Sequence, residues 1–278
     1  MAATTGVAKV NVEQLSSLSR PVDPRYPSNR FVIAAALVAG LATALANFFG
    51  LDTGLAPVSA AVGVFLAWAI GRELDPDYPA SGAVAMPVSM VLLLVIGPAS
   101  LLVSLGVLLG VRLLAGTVGA PLRTLDIVGV VGLAALLGTN PIGVVGLVAM
   151  VIGVVVDESR RNRAALIAAS AVAAFAVVAL VSRLDWTWTN PDTAEWIALV
   201  IAVVTTVLVV PAALPTASTD RHAGRVRRER VTAARVIAGT AAVAGFALAG
   251  GVGIAALAGT VMAALSGTAI RRIGAGLS

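Results

Sequence analysis

Long apolar stretches without any charge alternate with short clusters of charged residues along this chain. The stretches 31–50 and 164–182 contain no charged residue at all. Charged residues make up 12% of the 278 residues, whereas a soluble domain carries about 25%. Inside a bilayer every backbone N–H and C=O must be bonded within the protein, and a helix achieves this within its own segment. The pattern therefore predicts an all-α fold, a polytopic transmembrane helical bundle.

The apolar stretches predict about ten membrane-spanning helices, with about eight as the lower bound. Spans 3, 5, 6 and 9 have only about 12–15 residues, or roughly 18–23 Å of helix, whereas the hydrocarbon core is about 30 Å thick. We expect these helices to extend into their flanks or one pair to be re-entrant, with spans 5 and 6 as the first candidates. The predicted spans, numbered in chain order, are 30–49, 55–71, 82–96, 99–116, 127–138, 142–156, 164–182, 196–214, 236–249 and 252–270.

Basic residues lie almost entirely in alternate loops. The N-terminal tail and the loops after the even-numbered spans contain every Lys and Arg except Arg112 and Arg183. Because cytoplasmic loops carry the excess of basic residues, this alternation predicts that both termini are cytoplasmic. Arg112 is expected to snorkel to that surface from the end of span 4. The opposite loops are rich in Gly, Pro and Asn, and Trp186, Trp188 and Trp196 fit an interfacial belt there.

The chain divides into one large domain and two short tails. Residues 1–30 are predicted to form a polar cytoplasmic tail, residues 31–272 a single transmembrane helical domain, and residues 273–278 a short C-terminal tail. The first tail lacks the apolar core of a signal peptide. Its prolines block helix formation, so we expect it to be partly disordered at 16–30.

Residue types that are rare or missing exclude several kinds of chemistry. The chain has no cysteine, so disulfides, thiolate metal sites and a cysteine nucleophile are excluded. His222 is the only histidine, which excludes any mechanism that needs two. The net charge of +5 does not require a nucleic-acid partner, because cytoplasmic loops of membrane proteins are basic. The excess of Arg over Lys suggests a GC-rich prokaryotic genome, and hence a prokaryotic cell membrane as the location.

The sharpest chemical feature is an acidic cluster at the cytoplasmic end of span 2. Glu73, Asp75 and Asp77 belong to it, and Pro76 ends the helix between the two aspartates. Mg²⁺ prefers such carboxylate oxygens and often bridges them to phosphate groups. The cluster is therefore the candidate site for a divalent cation, and no other cofactor is expected. The alternative is a solvated loop in which Arg72 pairs with the acids.

The basic loop before span 9 is the second candidate site. Arg225, Arg227, Arg228 and Arg230 could hold anionic lipid headgroups, each contributing about 1 kcal/mol near the membrane surface. Alternatively, they only anchor the topology of spans 8 and 9. The expected partners are the lipid bilayer and anionic lipids, and no nucleic acid.

Small residues within the spans indicate close helix packing. Gly106 and Gly110 form a GxxxG pattern in span 4, which is typical either of a homo-oligomer interface or of packing within one chain. Spans 1–2, 5–6 and 9–10 share one plan: an Ala/Gly-rich helix, a Gly or Pro turn, a second helix and a charged end. This predicts repeated helical hairpins, with chance similarity of apolar runs as the alternative.

Three classes of function stay open. A transporter or channel-like protein for a small or lipidic solute is favoured by the number of spans and by helix breaks at Pro57, Pro87 and 140–141. No Asp, Glu, Lys or His falls at the middle of a predicted span, which argues against a proton-driven pump. The alternatives are a cytoplasmic-face membrane enzyme that uses the acidic cluster on a phosphorylated lipid, and a non-catalytic assembly subunit.

Overall fold

The computed structural model describes residues 16–18, 22, 24–157, 163–211, 215–219 and 224–276. These residues form ten helices, each overlapping one predicted span, when the three consecutive pieces of the last helix count as one. Residues 1–15 of the predicted N-terminal tail and His222 lie outside the described residues.

The helices are numbered α1 to α10 in chain order. The first nine are α1 Pro27–Phe48, α2 Pro57–Leu74, α3 Pro79–Ile96, α4 Leu101–Ala115, α5 Thr124–Leu137, α6 Gly143–Asp157, α7 Ala164–Val181, α8 Thr193–Val209 and α9 Arg228–Ala249. The last helix, α10, runs as Gly251–Leu257, continues as a π-helical turn at Ala258–Met262, and ends as Ala263–Gly276.

Six of the ten helices are long and apolar enough to cross a membrane, namely α1, α2, α3, α7, α9 and α10. Spans 3 and 9 extend into their flanks, which was one of the two predicted alternatives, since α3 has 18 residues and α9 has 22. Spans 4 and 8 are shorter than predicted, since α4 has 15 residues and α8 has 17. The described residues support a helical membrane protein with six candidate spans, and the count of ten spans stays a prediction.

Proline begins three of the long helices. Pro27, Pro57 and Pro79 occupy the first turn of α1, α2 and α3, where the missing N–H needs no partner and the fixed φ already suits a helix. The chain is thus already helical from Pro27, within the segment that was expected to be a polar tail. At the other end α10 continues to Gly276, beyond the predicted domain boundary at 272.

The bundle exposes apolar side chains and buries its central helix. Helices α1 and α7 are mostly exposed, with large apolar side chains such as Leu37, Phe48 and Leu180 on the surface. Apolar surface of this extent is unfavourable in water, whereas in a bilayer it contacts lipid tails. Helix α10 is the most buried of the candidate spans and packs against α2, α3, α4, α8 and α9. This arrangement fits a membrane protein whose core is built around α10.

Helices α4 and α6 make the most extensive contact in the bundle. A Cβ atom on Gly110 would lie 2.3 Å from the carbonyl oxygen of Ala149, and one on Gly106 would lie 3.0 Å from the Cα of Gly146. The backbones approach this closely only because both positions lack a side chain. The GxxxG face is therefore used within one chain. A homo-oligomer stays a prediction, but this face is not its interface.

The three predicted hairpins do not pack alike. Helix α1 packs closely against α2, and α9 against the first piece of α10, but α5 packs mainly against α7 and α6 mainly against α4. A tight turn joins α5 to α6, and in it the side-chain oxygen of Asn140 accepts a hydrogen bond from the N–H of Ile142 at 2.9 Å. The middle pair thus lacks the mutual packing of the other two, and whether it crosses the bilayer or is re-entrant stays a prediction.

Candidate functional site

The acidic cluster at the end of α2 is buried and paired. Glu73 is fully buried and Asp75 is 4% exposed, while Asp77 is partly exposed. The alternative of a solvated loop is therefore wrong for the first two carboxylates. Since a buried charge is unfavourable unless it is paired and hydrogen-bonded, the partners of each carboxylate decide what the cluster does.

Glu73 joins α2 to α4 and to the N-terminal segment. The Nε of Arg112 donates to Glu73 Oε1 at 2.7 Å, and the hydroxyl of Thr117 donates to Oε2. The same guanidinium donates from Nη1 to the carbonyl of Leu18 at 3.0 Å. The guanidinium of Arg112 is thus held by a buried carboxylate from another helix, and whether it reaches the membrane surface stays a prediction.

Asp75 joins α2 to both α9 and α10. Arg271 donates from Nη2 to Asp75 Oδ2 at 2.6 Å, and Arg235 lies 3.5 Å from Oδ1. The hydroxyl of Ser81 donates to Oδ2 at 2.5 Å. The guanidinium of Arg271 also stacks 3.8 Å from the centre of the Tyr78 ring, a favourable cation–π geometry. One carboxylate at the end of α2 therefore connects this helix with α3, α9 and α10.

Two further arginine contacts satisfy the C-terminal carbonyls of helices. The Nε of Arg235 donates to the carbonyl of Leu74 at 2.7 Å, and its Nη1 donates to that of Val209 at 3.1 Å. Arg272 donates to the carbonyls of Leu208 and Val209 at 3.2 and 3.1 Å. The last carbonyls of a helix have no partner within it and carry partial negative charge. The arginines supply both the donor and the complementary charge at the ends of α2 and α8.

Asp77 binds the segment that precedes α9. Its Oδ1 accepts hydrogen bonds from the backbone N–H of Thr216 at 3.0 Å and of Ala217 at 2.6 Å. These are charge-assisted bonds, which are about twice as strong as neutral ones. Each of the three carboxylates therefore has protein donors of its own. No group of three or more His, Cys, Asp or Glu side chains among the described residues is placed to hold a metal ion, and cation binding here stays a prediction.

The four arginines of the second candidate site do not share one environment. Arg230 donates from Nε to the carbonyl of Leu114 at 2.7 Å and from Nη2 to Asp157 at 3.1 Å. It is therefore part of the contact between α4, α6 and α9. Arg225, Arg227 and Arg228 are exposed. These three are the ones that remain accessible to a headgroup.

The N-terminal segment 16–18 is bound to the bundle through Asp126 at the start of α5. This carboxylate accepts hydrogen bonds from the backbone N–H of Ser17 at 2.8 Å, Leu18 at 3.2 Å and Arg123 at 2.8 Å. The hydroxyls of Ser16 and Ser17 donate to it as well. Burial alone would raise the pKa of this carboxyl, but the hydrogen bonds from Ser16, Arg123 and Ser17 outweigh burial and hold the pKa below its usual value.

A separate polar cluster lies in the middle of the bundle at the π-helical turn of α10. Ser89 of α3 donates its hydroxyl to the carbonyl of Gly259. Ser104 of α4 and Thr260 share a hydrogen bond at 2.6 Å between their hydroxyls. Pro87, two residues before Ser89, lies inside α3 and removes one backbone hydrogen bond of that helix. The irregular part of α3 at Pro87 and the π-helical turn of α10 therefore lie close together. The hydroxyl groups of Ser89, Ser104 and Thr260 are located there.

Sequence reasoning missed these partners for different reasons. Arg235 and Arg271 belong to basic clusters that also explain topology, so nothing marked them as counter-charges for Asp75. The binding of 16–18 to Asp126 joins positions more than 100 residues apart, and no local pattern encodes it. The π-helical turn falls in Ala-Gly-Thr-Val-Met, which continues the apolar run around it.

The fold and these sites define the class of the protein. An apolar exterior, a network of charges at one end and six helices long enough to cross a bilayer are the properties of a multi-pass helical membrane protein. Comparisons of the chain with protein-family models, with curated proteins and with solved structures find no match. The function therefore has to be argued from the sites themselves.

Proposed function

We propose that this multi-pass membrane protein is a transporter or channel-like protein that passes a small uncharged or lipidic solute through the centre of the helical bundle. The observation that carries the proposal is the π-helical turn Ala258–Met262 within α10, the most buried of the candidate spans. A π-helical turn inside a membrane helix is unfavourable unless function or packing requires it, and such turns occur frequently at functional sites. Irregular backbone at membrane depth is tolerated where it is buried in protein or lines a cavity.

The chemistry of the centre supports an uncharged solute. The polar groups there are the hydroxyls of Ser89, Ser104 and Thr260 and the carbonyl of Gly259, which are neutral donors and acceptors. Every charged side chain in the described helices lies within about two turns of a helix end. Proton-coupled carriers place ionisable groups deep in the membrane, so the distribution of charge favours passive movement of a neutral molecule.

The test is a flux measurement in liposomes that contain the purified protein. Glycerol and urea entry would be followed by stopped-flow light scattering, and movement of a fluorescent phosphatidylcholine between leaflets by quenching with dithionite. We expect at least one probe to move faster than in protein-free liposomes. Thr260→Val, which removes the hydroxyl but keeps the shape, should slow that probe by about tenfold, as the loss of one 1.4 kcal/mol interaction does.

The matched control is Thr240→Val on α9. Thr240 is exposed and its hydroxyl bonds only to its own helix, at the carbonyls of Val236 and Ile237. It should therefore leave the flux unchanged. The proposal fails if no probe moves faster than in protein-free liposomes, or if the two valine variants have the same flux.

A further inference from the structure

An open cleft of about 710 Å³ lies between α4, α6 and α9, close to the end of the bundle where the charges gather. Leu114, Ile152 and Val156 form one wall, and Val236 and Ile237 of α9 form the other. Val156 and Val236 remain about two-fifths exposed. The cleft is therefore lined mainly by apolar side chains and is open to the surface of the bundle.

The polar rim of the cleft is formed by the start of α9, where the segment 225–229 carries more positive than negative charge. Arg228, Glu229 and Thr232 lie on the first turns of α9 at its edge. Arg225 and Arg227 precede the helix and are exposed. None of these three arginines has an ion-pair partner among the described residues. With three arginines against one glutamate, the segment 225–229 attracts an anion towards Arg228 at the edge of the cleft.

We propose that this cleft binds one anionic phospholipid, with an acyl chain along the apolar walls and the phosphate against Arg228. Arg228 at the rim and Val236 in the apolar wall stand about two helix turns apart on α9, roughly 12 Å, a separation that the headgroup and acyl chain of one lipid can span. In a bilayer, lipid headgroups lie at the depth of the charged helix ends of a membrane protein. The inference does not depend on the transport proposal, because the cleft is separate from the π-helical turn.

The charge at the rim determines which lipid headgroup the cleft binds preferentially. An apolar slot alone would accept any acyl chain, whereas the rim distinguishes an anionic headgroup such as phosphatidylglycerol from zwitterionic phosphatidylcholine. Arg230 adds nothing to this preference because its guanidinium is held by α4 and Asp157. Arg228 is the rim arginine that lines the cleft, so it should contribute most to the selectivity.

The experiment measures lipid binding to the whole purified protein in a neutral detergent. Phosphatidylglycerol and phosphatidylcholine would be titrated separately, and bound lipid counted by native mass spectrometry. We expect one phosphatidylglycerol to bind in preference to phosphatidylcholine. Arg228→Gln should weaken phosphatidylglycerol about fivefold, the factor that corresponds to the ~1 kcal/mol of one arginine near an anionic headgroup. Phosphatidylcholine binding should not change.

Two variants complete the design. Arg183→Gln removes the same charge from an exposed arginine after α7, and it should leave binding of both lipids unchanged. Val236→Trp fills the cleft and should weaken both lipids. Four results would overturn the proposal: equal binding of the two lipids, equal effects of the two glutamine variants, displacement of phosphatidylglycerol by excess inorganic phosphate, or a change of oligomeric state in Val236→Trp with lipid binding intact. The last two would identify a free anion or a second copy of the chain as the occupant.

Discussion

The two ends of the bundle are closed by different means. At the charged end, ion pairs join helices far apart in the chain, such as Arg112 with Glu73 and Arg271 with Asp75. At the opposite end, short turns close neighbouring helices. There the side-chain amide of Asn47 donates to the carbonyl of Leu55 at 2.9 Å, and Gly250 adopts a φ of 65° between α9 and α10, a conformation that glycine tolerates best.

The two ends therefore differ in how strongly their contacts hold the helices in one arrangement. Charged groups buried at one end are costly unless every partner is present, so that end has one well-defined arrangement. The turn end has fewer such constraints. An exception is Thr189, whose hydroxyl donates to the carbonyl of Ala249 at 2.8 Å and fixes the tryptophan-bearing loop onto the tip of α9. We infer that opening of the bundle starts more easily at the turn end.

The largest expected effect concerns which side of the membrane each end faces. The chain has no cysteine, so single cysteines at the exposed positions Thr187 and Ser218 can be labelled with an impermeant maleimide. If the charged end is cytoplasmic, Thr187→Cys should label in intact cells and Ser218→Cys only after permeabilisation. Labelling with the opposite pattern would reverse the orientation, and equal labelling would contradict the separation of the two ends.

The second prediction compares the stability lost when one polar contact is removed at each end of the bundle. Arg112→Met removes the buried ion pair that Arg112 makes with Glu73, and we expect it to lower the free energy of unfolding by about 3–5 kcal/mol. Asn47→Ala at the turn end should cost only about 1 kcal/mol. Unfolding in detergent by increasing mole fractions of SDS, followed by circular dichroism, measures both.

A double variant distinguishes the effect of losing the charge of Arg112 from the effect of losing the packing of its side chain. Glu73→Gln combined with Arg112→Met removes both charges of the pair, and it should recover much of the stability lost in Arg112→Met alone, because the buried carboxylate is removed together with its arginine. A double variant as unstable as the single one would mean that the arginine acts through packing. An Asn47→Ala variant as unstable as Arg112→Met would remove the contrast between the ends.

Helix packing between the two ends gives a smaller effect. Gly110→Ala places a Cβ 2.3 Å from a backbone oxygen of α6, and overpacking of this kind costs about 1–3 kcal/mol. Gly129→Ala is the control, because a Cβ there meets nothing within 4 Å. It should be neutral or stabilising by about 0.5–1 kcal/mol, since alanine favours helix. The same unfolding assay applies, and equal results for both variants would argue against the close contact of α4 with α6.

Helix positions could be predicted because their determinants are local. Uncharged runs and charged ends locate each helix, whereas Pro57, interpreted from the sequence as a helix break, begins α2. The lengths of spans 3 and 9 were underestimated because polar or charged residues at their starts, including Arg228 and Arg235, were assigned to loops. The side chain of Arg235 donates to the carbonyls that end α2 and α8, so the backbone of α9 can be helical and buried through this charge.

The sites were only partly predictable because their determinants are not local. The acidic cluster was found from composition, yet its pairing with arginines on α4, α9 and α10 depends on how the helices pack. The GxxxG pattern was found, but sequence spacing does not distinguish a partner helix of the same chain from one of a second copy. The cleft beside Arg228 has no sequence signature, because it is empty space between three helices.

The smallest expected effect is pH dependence at the N-terminal segment of the charged end. Asp126 has a pKa below its ordinary value of 3.8, so the stability it contributes is full above that value and is lost as the pH falls through the lowered pKa. Asp126→Asn should cost about 1 kcal/mol near neutral pH, as the loss of a capping carboxylate does. The difference in unfolding free energy between wild type and variant should stay constant above about pH 5 and shrink below about pH 4. A difference that grows on acidification would require a raised pKa and contradict the hydrogen bonds from Ser16 and Ser17.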